Sequence, residues 1–422
     1  MASEKFIIQG GKRLKGTVEI GGYKNAAGAI LAATLLTDKW CLIEKLPLVE
    51  DVFSLLKILE QIGVEISWQN EKTIKLRAGP NLDIEKIDFN LVSKSRVSVL
   101  LIGSLLSRFQ NLKISHPGGD KIGVRPILTH LEALKKLGVD ILQEGEFYYF
   151  QRKQLIGTEI VLKEFSVTAT ENLMMLAVLS QGKTVIKGAA AEPQVQDLGK
   201  MLKNMGAKIE GVGTNTILIE GVKELVGVSH QIIPDPLETG TFVIIGATNS
   251  GRIEIENCVP SHLDIFLAKL EEIGVDLKKG INSIQVNFSP KIRSTKIQAL
   301  PYPGFPTDLL PVALPLLTQA DGKSLVHDPL YENRLNFTQE LRKMGADIEV
   351  VDPHRAFIFG KTPLFGVRIE SWDIRAGASL VVAGLLAKDR TVIENIYQID
   401  RGYEKIEEKL QKLGADIKRV TI

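Results

Sequence analysis

The sequence predicts an α/β protein built from six copies of one unit, grouped as two three-unit domains, and three observations lead there. A phrase that ends a helix and restarts as a strand occurs six times: LEQIGVEI from Leu59, LKKLGVDI from Leu134, LKNMGAKI from Leu202, LEEIGVDL from Leu270, LRKMGADI from Leu341 and LQKLGADI from Leu410. Its glycines (63, 138, 206, 274, 345 and 414) lie 68 to 75 residues apart, close to one sixth of the 422-residue chain. Upstream of every phrase runs an apolar stretch of helical length. A shift near Ile233 to Thr241, with prolines at 234 and 236, leaves three phrases on either side and marks the domain division.

Each part of the unit has a local reason. In the phrase, two apolar residues three apart share one helix face, and the glycine stands where a left-handed residue ends a helix. The alternation that follows has the period of a half-buried strand. The upstream stretches are AAGAILAATLL from Ala26, RVSVLLIGSLL from Arg96, ENLMMLAVLS from Glu171, TGTFVIIGAT from Thr239, DLLPVALPLL from Asp308 and RAGASLVVAGLLA from Arg375. Apolar nearly all round, they belong at the centre of a bundle. A turn and a short strand follow each one (WCLIE, LKIS, TVIKG, RIEIE, KSLVH, TVIEN), then a loop into the phrase helix. The unit therefore reads helix, strand, loop, helix, strand, with further strands between units. A uniform solenoid would repeat its loops as well as its core. These loops diverge, and function is sought in them.

Composition removes several function classes. Lys plus Arg number 52 against 50 Asp plus Glu, a net +2, so no bulk field draws the chain to nucleic acid or an anionic membrane. Two cysteines, Cys41 and Cys258, without metal-ligand spacing point to a reducing compartment, the cytosol. The start has no secretion signal, and the longest apolar runs, Ser98 to Leu106 and Leu309 to Leu317, reach about half a bilayer span. The six histidines never take the i, i+4 spacing of a helical zinc pair, so no metal is expected. No phosphate-binding G-x-x-x-x-G-K-[ST] loop and no G-x-S-x-G elbow occur, and GVGTNT from Gly211 lacks the last glycine of a dinucleotide fingerprint.

What remains are glycine-rich and charged strings at unit junctions. GGYKNAA from Gly21 puts Lys24 and Asn25 just before a buried helix, where free N–H groups favour an anion. HPGGDKIGVRP from His116 packs three glycines, Asp120, Lys121 and Arg125 into one loop. FPTDLLP sets Asp308 at a helix start, where a carboxylate capping backbone N–H groups is the alternative to a catalytic one. LYENR from Leu330, DIRAGAS from Asp373 and IDRGYE from Ile399 each offer an arginine. A solvated surface charge is the alternative for any one of Lys24, Arg96, Arg125, Arg334, Arg375 and Arg401, and their shared place at junctions sets them apart. These types suggest a cleft lined by cations and helix N-termini, with two carboxylates for proton transfer, suited to phosphate-bearing substrates. The reaction stays open at this point.

At these same strings the chain resembles the enolpyruvyl transferases, most closely the branch acting on UDP-N-acetylglucosamine. The match runs end to end through GGYKNAA, the PGGxxIGxRP loop, AEPQVQD, DPLETGTF, FPTD, ENR, DIRAGASL and IDRGYEKIE. The branch acting on shikimate 3-phosphate carries a G-S-K-S-x-S-N-R string near its start and fits less well. The resemblance implies two inside-out α/β barrel domains, each of three βαβαββ units, with an active-site cleft between them. The domains would be 1–22 with 235–422, and 23–234 carrying a mobile loop at 116–126. It implies transfer of the enolpyruvyl group of phosphoenolpyruvate to the 3′-hydroxyl of UDP-N-acetylglucosamine through a tetrahedral ketal, with loss of phosphate. That is the first committed step of peptidoglycan synthesis, and it takes no cofactor. Carried over by residue, Lys24 and Arg401 hold the phosphate and carboxylate of phosphoenolpyruvate, and Arg125 closes over them. Arg334 and Arg375 complete the cationic lining, and Leu330 joins the substrate-binding set. Asn25, Arg96 and Asp308 contact the sugar nucleotide, Asp308 removing the hydroxyl proton. Ser166 and Val167 match a stretch that binds the uridine diphosphate end.

Three departures stand out. Most members have a cysteine where this chain has Asp120; there it acts as general acid toward the methylene carbon and is the target of the epoxide fosfomycin. A thiol is mostly protonated at neutral pH and an aspartate mostly ionised. Desolvation and a nearby phosphate would have to favour the acid form, against Lys121 and Arg125. Activity skewed to acid pH and insensitivity to fosfomycin are therefore expected. Leu128 stands where an Asp is common, Glu164 where a Lys is common, and Pro236 replaces an arginine after Asp235. These keep open another acceptor, shikimate 3-phosphate or a different nucleotide sugar, and a binding protein without turnover.

Overall fold

All six phrase glycines have φ between 97° and 103° in the computed structural model, which describes residues 4–120, 122–249 and 251–421. A side chain in that left-handed region is strained, so glycine stops each helix at the same place. The helices so ended are Glu50–Gln61, Leu128–Lys136, Pro193–Asn204, Asp264–Ile273, Thr338–Lys343 and Ile406–Lys412. A strand restarts directly after each, from Glu65–Asn70 to Asp416–Thr421, and the protein is mixed α/β as predicted.

The apolar stretches form the helices Lys24–Ala33, Leu101–Arg108, Val167–Ala177, Pro236–Thr248, Leu310–Leu317 and Ile374–Leu386. Every residue of Pro236–Thr248 is buried. Such a helix has no solvent face to stabilise it in isolation, so it exists only inside a shell. The contacts divide the chain into a first unit (Met1–Gly21, Lys121–Val124 and Pro234–Ile422) and a second (Gly22–Asp120 and Arg125–Ile233). Among the described residues each holds three inner helices and three sheets. Close helix packing in the second unit uses Gly103. A Cβ there would lie 2.4 Å from the Asn172 carbonyl oxygen, while Asn172 Oδ1 accepts the Gly103 N–H at 2.6 Å.

Among the described residues five sheets have four strands and one pattern. In the first unit Lys296–Gln298 runs parallel to Gly322–His327, which pairs antiparallel with Arg355–Gly360, and this with Asp347–Asp352. Alternate residues face the inner helices, giving the period-two burial read from sequence. The last repeat lacks a strand of its own in this order. Glu4–Gln9 fills the gap between Arg390–Glu394 and Asp416–Thr421, with Phe6 and Ile8 fully buried. The sixth sheet, Asn111–Ser115 with Val139–Glu144 and Phe147–Arg152, has three strands, one fewer than the repeat predicts. The chain that would supply its parallel edge coils instead into a short helix, Phe89–Val92, where Asp88 Oδ1 accepts the Asn90 N–H at 2.8 Å.

Among the described residues no helix is long and apolar enough to cross a membrane, and no group of three His, Cys, Asp or Glu side chains is placed to hold a metal. Cys41 and Cys258 are free and buried.

Candidate active site

In the second unit, Lys24 and Asn25 are the first two residues of helix Lys24–Ala33 rather than its approach, and Tyr23 precedes them in extended conformation. Lys24 is buried, and its Nζ lies 2.5 Å from Asp51 Oδ2, itself buried in the first turn of Glu50–Gln61. A cation at this depth needs a counter-charge, and Asp51 supplies it. Asn25 Nδ2 donates to Tyr23 Oη at 3.1 Å.

Arg96 opens the 3₁₀ turn that leads into Leu101–Arg108, behind the capping hydroxyl of Ser95. Its guanidinium donates to the carbonyls of Arg125 (2.5 Å) and Pro126 (3.2 Å), so it staples the far end of the 116–126 loop. Gly119, at φ 131°, lets Arg96 and Arg125 crowd together. A Cβ there would sit 3.0 Å from Arg125 Nη1 and 3.1 Å from Arg96 Cβ. Asp120 follows, half-buried. His130, on the next helix, binds Thr168 Oγ1 at 2.8 Å. Burial pushes its pKa down to about 3, helped by the charge of Arg96, so it is neutral at working pH. Ser166 caps helix Val167–Ala177 by accepting the Ala169 N–H at 3.2 Å. Glu164 accepts a hydrogen bond from Thr129 at 3.4 Å, and Leu128 is 59% exposed.

In the first unit, the capping role open to Asp308 is not what the structure shows. The cap position is Pro306, with no side-chain cap, and Asp308 sits inside the turn Thr307–Leu309 that leads into Leu310–Leu317. Its Oδ1 accepts from Arg334 Nη2 at 2.8 Å and its Oδ2 from Arg375 Nε at 3.1 Å. Neither arginine is the solvated charge that its residue type alone allowed: the side chains are 1% and 3% exposed, against 28% for Asp308. Asp328, fully buried, accepts the N–H groups of Leu330 (2.9 Å) and Tyr331 (3.2 Å) and the Thr307 hydroxyl, with Oδ2 3.7 Å from Arg334 Nε. Asp373 caps helix Ile374–Leu386 through the N–H groups of Arg375 (2.8 Å) and Ala376 (2.9 Å). Burial disfavours the Arg334 charge, but Asp308, Asp373 and Asp328 outweigh it, and the guanidinium is held above its ordinary pKa. Arg375 stacks over the Tyr403 ring at 5.4 Å, and Tyr403 shares a hydrogen bond with Thr241 at 2.8 Å. Arg401 is buried at the end of the short helix Tyr397–Asp400 and donates to Gln398 Oε1 at 2.9 Å. Leu330 is 38% exposed.

The arrangement offers a carboxylate fixed in orientation by two buried cations and still partly open, a group suited to accept a hydroxyl proton. Residues 8–410 match the family described as EPSP synthase (3-phosphoshikimate 1-carboxyvinyltransferase). A protein of Koribacter versatilis named UDP-N-acetylglucosamine 1-carboxyvinyltransferase is 43% identical, over 99% of this chain and 96% of its own. One of the same name from Halothermothrix orenii is 43% identical over 99% of both chains.

The chain belongs to the EPSP synthase family.

Solved structures share the fold. The enolpyruvyl transferase NikO from Streptomyces tendae superposes with a TM-score of 0.91 at 24% identity over the whole of both chains. EPSP synthase from Acinetobacter baumannii gives 0.75 at 19% identity, over 99% of this chain and 100% of its own.

Within this family member, Asp308, Arg334 and Arg375 converge in the first unit, and Arg96 and Arg125 converge in the second. Lys24 stands with Asp51, while Ser166 and Val167 occupy a separate helix start. Sequence reasoning missed Asp51, Asp328 and Gln398. Asp328 lies two residues before the LYENR string and could have been read as its turn-forming carboxylate. For Asp51 the sequence holds no signal, since its contact with Lys24 spans 27 residues.

Proposed function

We propose that this chain transfers the enolpyruvyl group of phosphoenolpyruvate to the 3′-hydroxyl of UDP-N-acetylglucosamine, releasing phosphate. It would thereby catalyse, in the cytoplasm, the first committed step of the peptidoglycan synthesis on which cell shape and division depend. The observation that carries this reading is the Asp308 carboxylate clamped between Arg334 and Arg375, in a chain 43% identical over nearly its full length to proteins of that name.

Asp308 takes the hydroxyl proton as the sugar oxygen adds to C2 of phosphoenolpyruvate, and Asp120 delivers a proton to the methylene carbon, giving a tetrahedral ketal. Loss of phosphate, with a proton from the new methyl group, restores the double bond. Lys24, Arg125 and Arg401 bind the phosphate and carboxylate, Arg334 and Arg375 complete the cationic lining, and Asn25, Arg96, Ser166, Val167 and Leu330 contact the sugar nucleotide. The domain limits proposed for this activity are 1–22 with 235–422, and 23–234.

The test is phosphate release from phosphoenolpyruvate with UDP-N-acetylglucosamine, other nucleotide sugars and shikimate 3-phosphate, from about pH 5 to 9, repeated with Asp120→Asn. Release with UDP-N-acetylglucosamine, lost in D120N, is expected; release with none of the acceptors overturns the reading. A different nucleotide sugar is the second reading, favoured by exposed Leu128 and anionic Glu164 at the nucleotide end. Because residue 120 carries a carboxyl group rather than a thiol, fosfomycin should leave the intact mass of the protein unchanged, and a covalent adduct at Asp120 would refute that.

A further inference from the structure

Glu332 takes no part in the chemistry above, yet it holds the loop segment 122–124, which belongs to the first unit together with it. Its Oε1 accepts the Val124 N–H at 2.7 Å. One residue along, the Asn333 N–H donates to the Ile122 carbonyl at 3.1 Å, so two short stretches are joined by bonds running in opposite senses. Gly123 makes the approach possible. At φ 142° a Cβ on it would lie 2.3 Å from Glu332 Oε2 and 2.6 Å from Cδ, so any side chain there would push the carboxylate away. Ile122 is buried, while Val124 is 79% exposed. The hydrogen bond from Val124, followed by one from its own backbone, holds the Glu332 carboxyl below its ordinary pKa, as a carboxylate accepting N–H bonds should be.

The anchor itself is fixed. Two residues before Glu332, the backbone is pinned by Asp328 through the Leu330 N–H, and two residues after it Arg334 is held by Asp308. On the other side, segment 122–124 lies between Asp120 and Arg125, the two loop residues given roles in the transfer. We infer that Glu332 is a positioning residue, which by gripping the Gly123–Val124 backbone sets where Asp120 and Arg125 are presented to phosphoenolpyruvate. The catalytic half of this inference rests on the proposed transferase reading; the grip on the loop does not.

The test uses the full chain and the variants Glu332→Ala and Glu332→Gln. Amide hydrogen exchange without substrates is expected to quicken about tenfold at Val124 in E332A, the loss of one hydrogen bond. Gly103, whose N–H is held by Asn172 in the core, should exchange as before and so report intact folding. The glutamine retains an acceptor oxygen, so E332Q should keep most of the protection. In phosphate release, kcat/KM should fall about tenfold in E332A and recover in E332Q, a rescue that a general loss of stability would not give. Unchanged exchange at Val124 in E332A overturns the grip. Faster exchange with unaltered kcat/KM overturns the positioning role. If the wild-type chain releases no phosphate with any acceptor, the transferase reading and the positioning role fall together, and the exchange result still decides the grip.

Discussion

Replacing Asp308 by alanine separates an ion-pair keystone from a helix cap. In the structure the substitution removes the partner at 2.8 Å from Arg334 and the partner at 3.1 Å from Arg375, two guanidiniums whose side chains are only 1% and 3% exposed. Breaking a buried charge pair by deleting one member costs about 3–5 kcal/mol, because the other charge stays desolvated. Arg334 keeps Asp328 at 3.7 Å, and the Asp308 side chain is 28% exposed, so the low end applies, about 3 kcal/mol. For a unit of about 200 residues this is a drop in Tm of roughly 6–12 °C. Asp308→Asn should fall between, since its single amide oxygen can accept from one arginine while its NH₂ faces the other. Thermal and urea unfolding followed by circular dichroism read both variants. A loss of about 1 kcal/mol in D308A with D308N equal to wild type is what a capping residue would give, and that pattern would refute the keystone argument.

Three further outcomes follow from the same physics. Burial raises the Asp235 carboxyl from 3.8 to about 6, with Arg375 and the N–H bonds from Glu238 and Leu237 opposing and the Glu238 charge adding. The folded state therefore prefers the protonated acid: its contribution is full below about pH 4, is lost as pH rises through about 6, and amounts to something on the order of 3 kcal/mol. Asp235→Asn, which keeps the cap, should flatten urea stability across that window, and a pH profile parallel to wild type would count against it. Among the phrase glycines, Gly206→Ala meets nothing within 4 Å and should cost about 1 kcal/mol, whereas Gly138→Ala brings a Cβ to 2.6 Å from the Gln154 carbonyl and should cost about 2–4 kcal/mol. Equal urea midpoints for the two variants would show that the repeat ends are not distinguished by space. Asp51→Ala strips Lys24 of its partner at 2.5 Å and should lower kcat/KM for phosphate release about tenfold, with Lys24→Ala lower still; wild-type kinetics in D51A would deny Asp51 any bearing on Lys24.

Much of the fold could be read from the residues because its determinants are local. Glycine at the fifth residue of a helix-ending phrase has one energetic use, and all six adopt it. The inner helices announce themselves by having no polar face, and the strands by period two. The exceptions arise where a neighbouring segment competes. Asp88 caps a helix where the repeat predicts an edge strand, and Pro236, read as a departure from an arginine, fits as the first residue of a helix capped by Asp235.

Asp308 shows the other limit. Its position at a helix start was plain from FPTD, but whether its oxygens turn to the backbone or to arginines 26 and 67 residues away is a matter of which loops the packing brings together. The chain by itself determined the six units, their burial and the residues worth watching, since helix stops and apolar periods act over a few residues. Only the tertiary structure decided that Glu4–Gln9 completes the last sheet, that Asp51 answers Lys24 and that Glu332 grips Val124. Charge pairs and hydrogen bonds fall off within a few ångströms, and which groups come that close is set by the whole core.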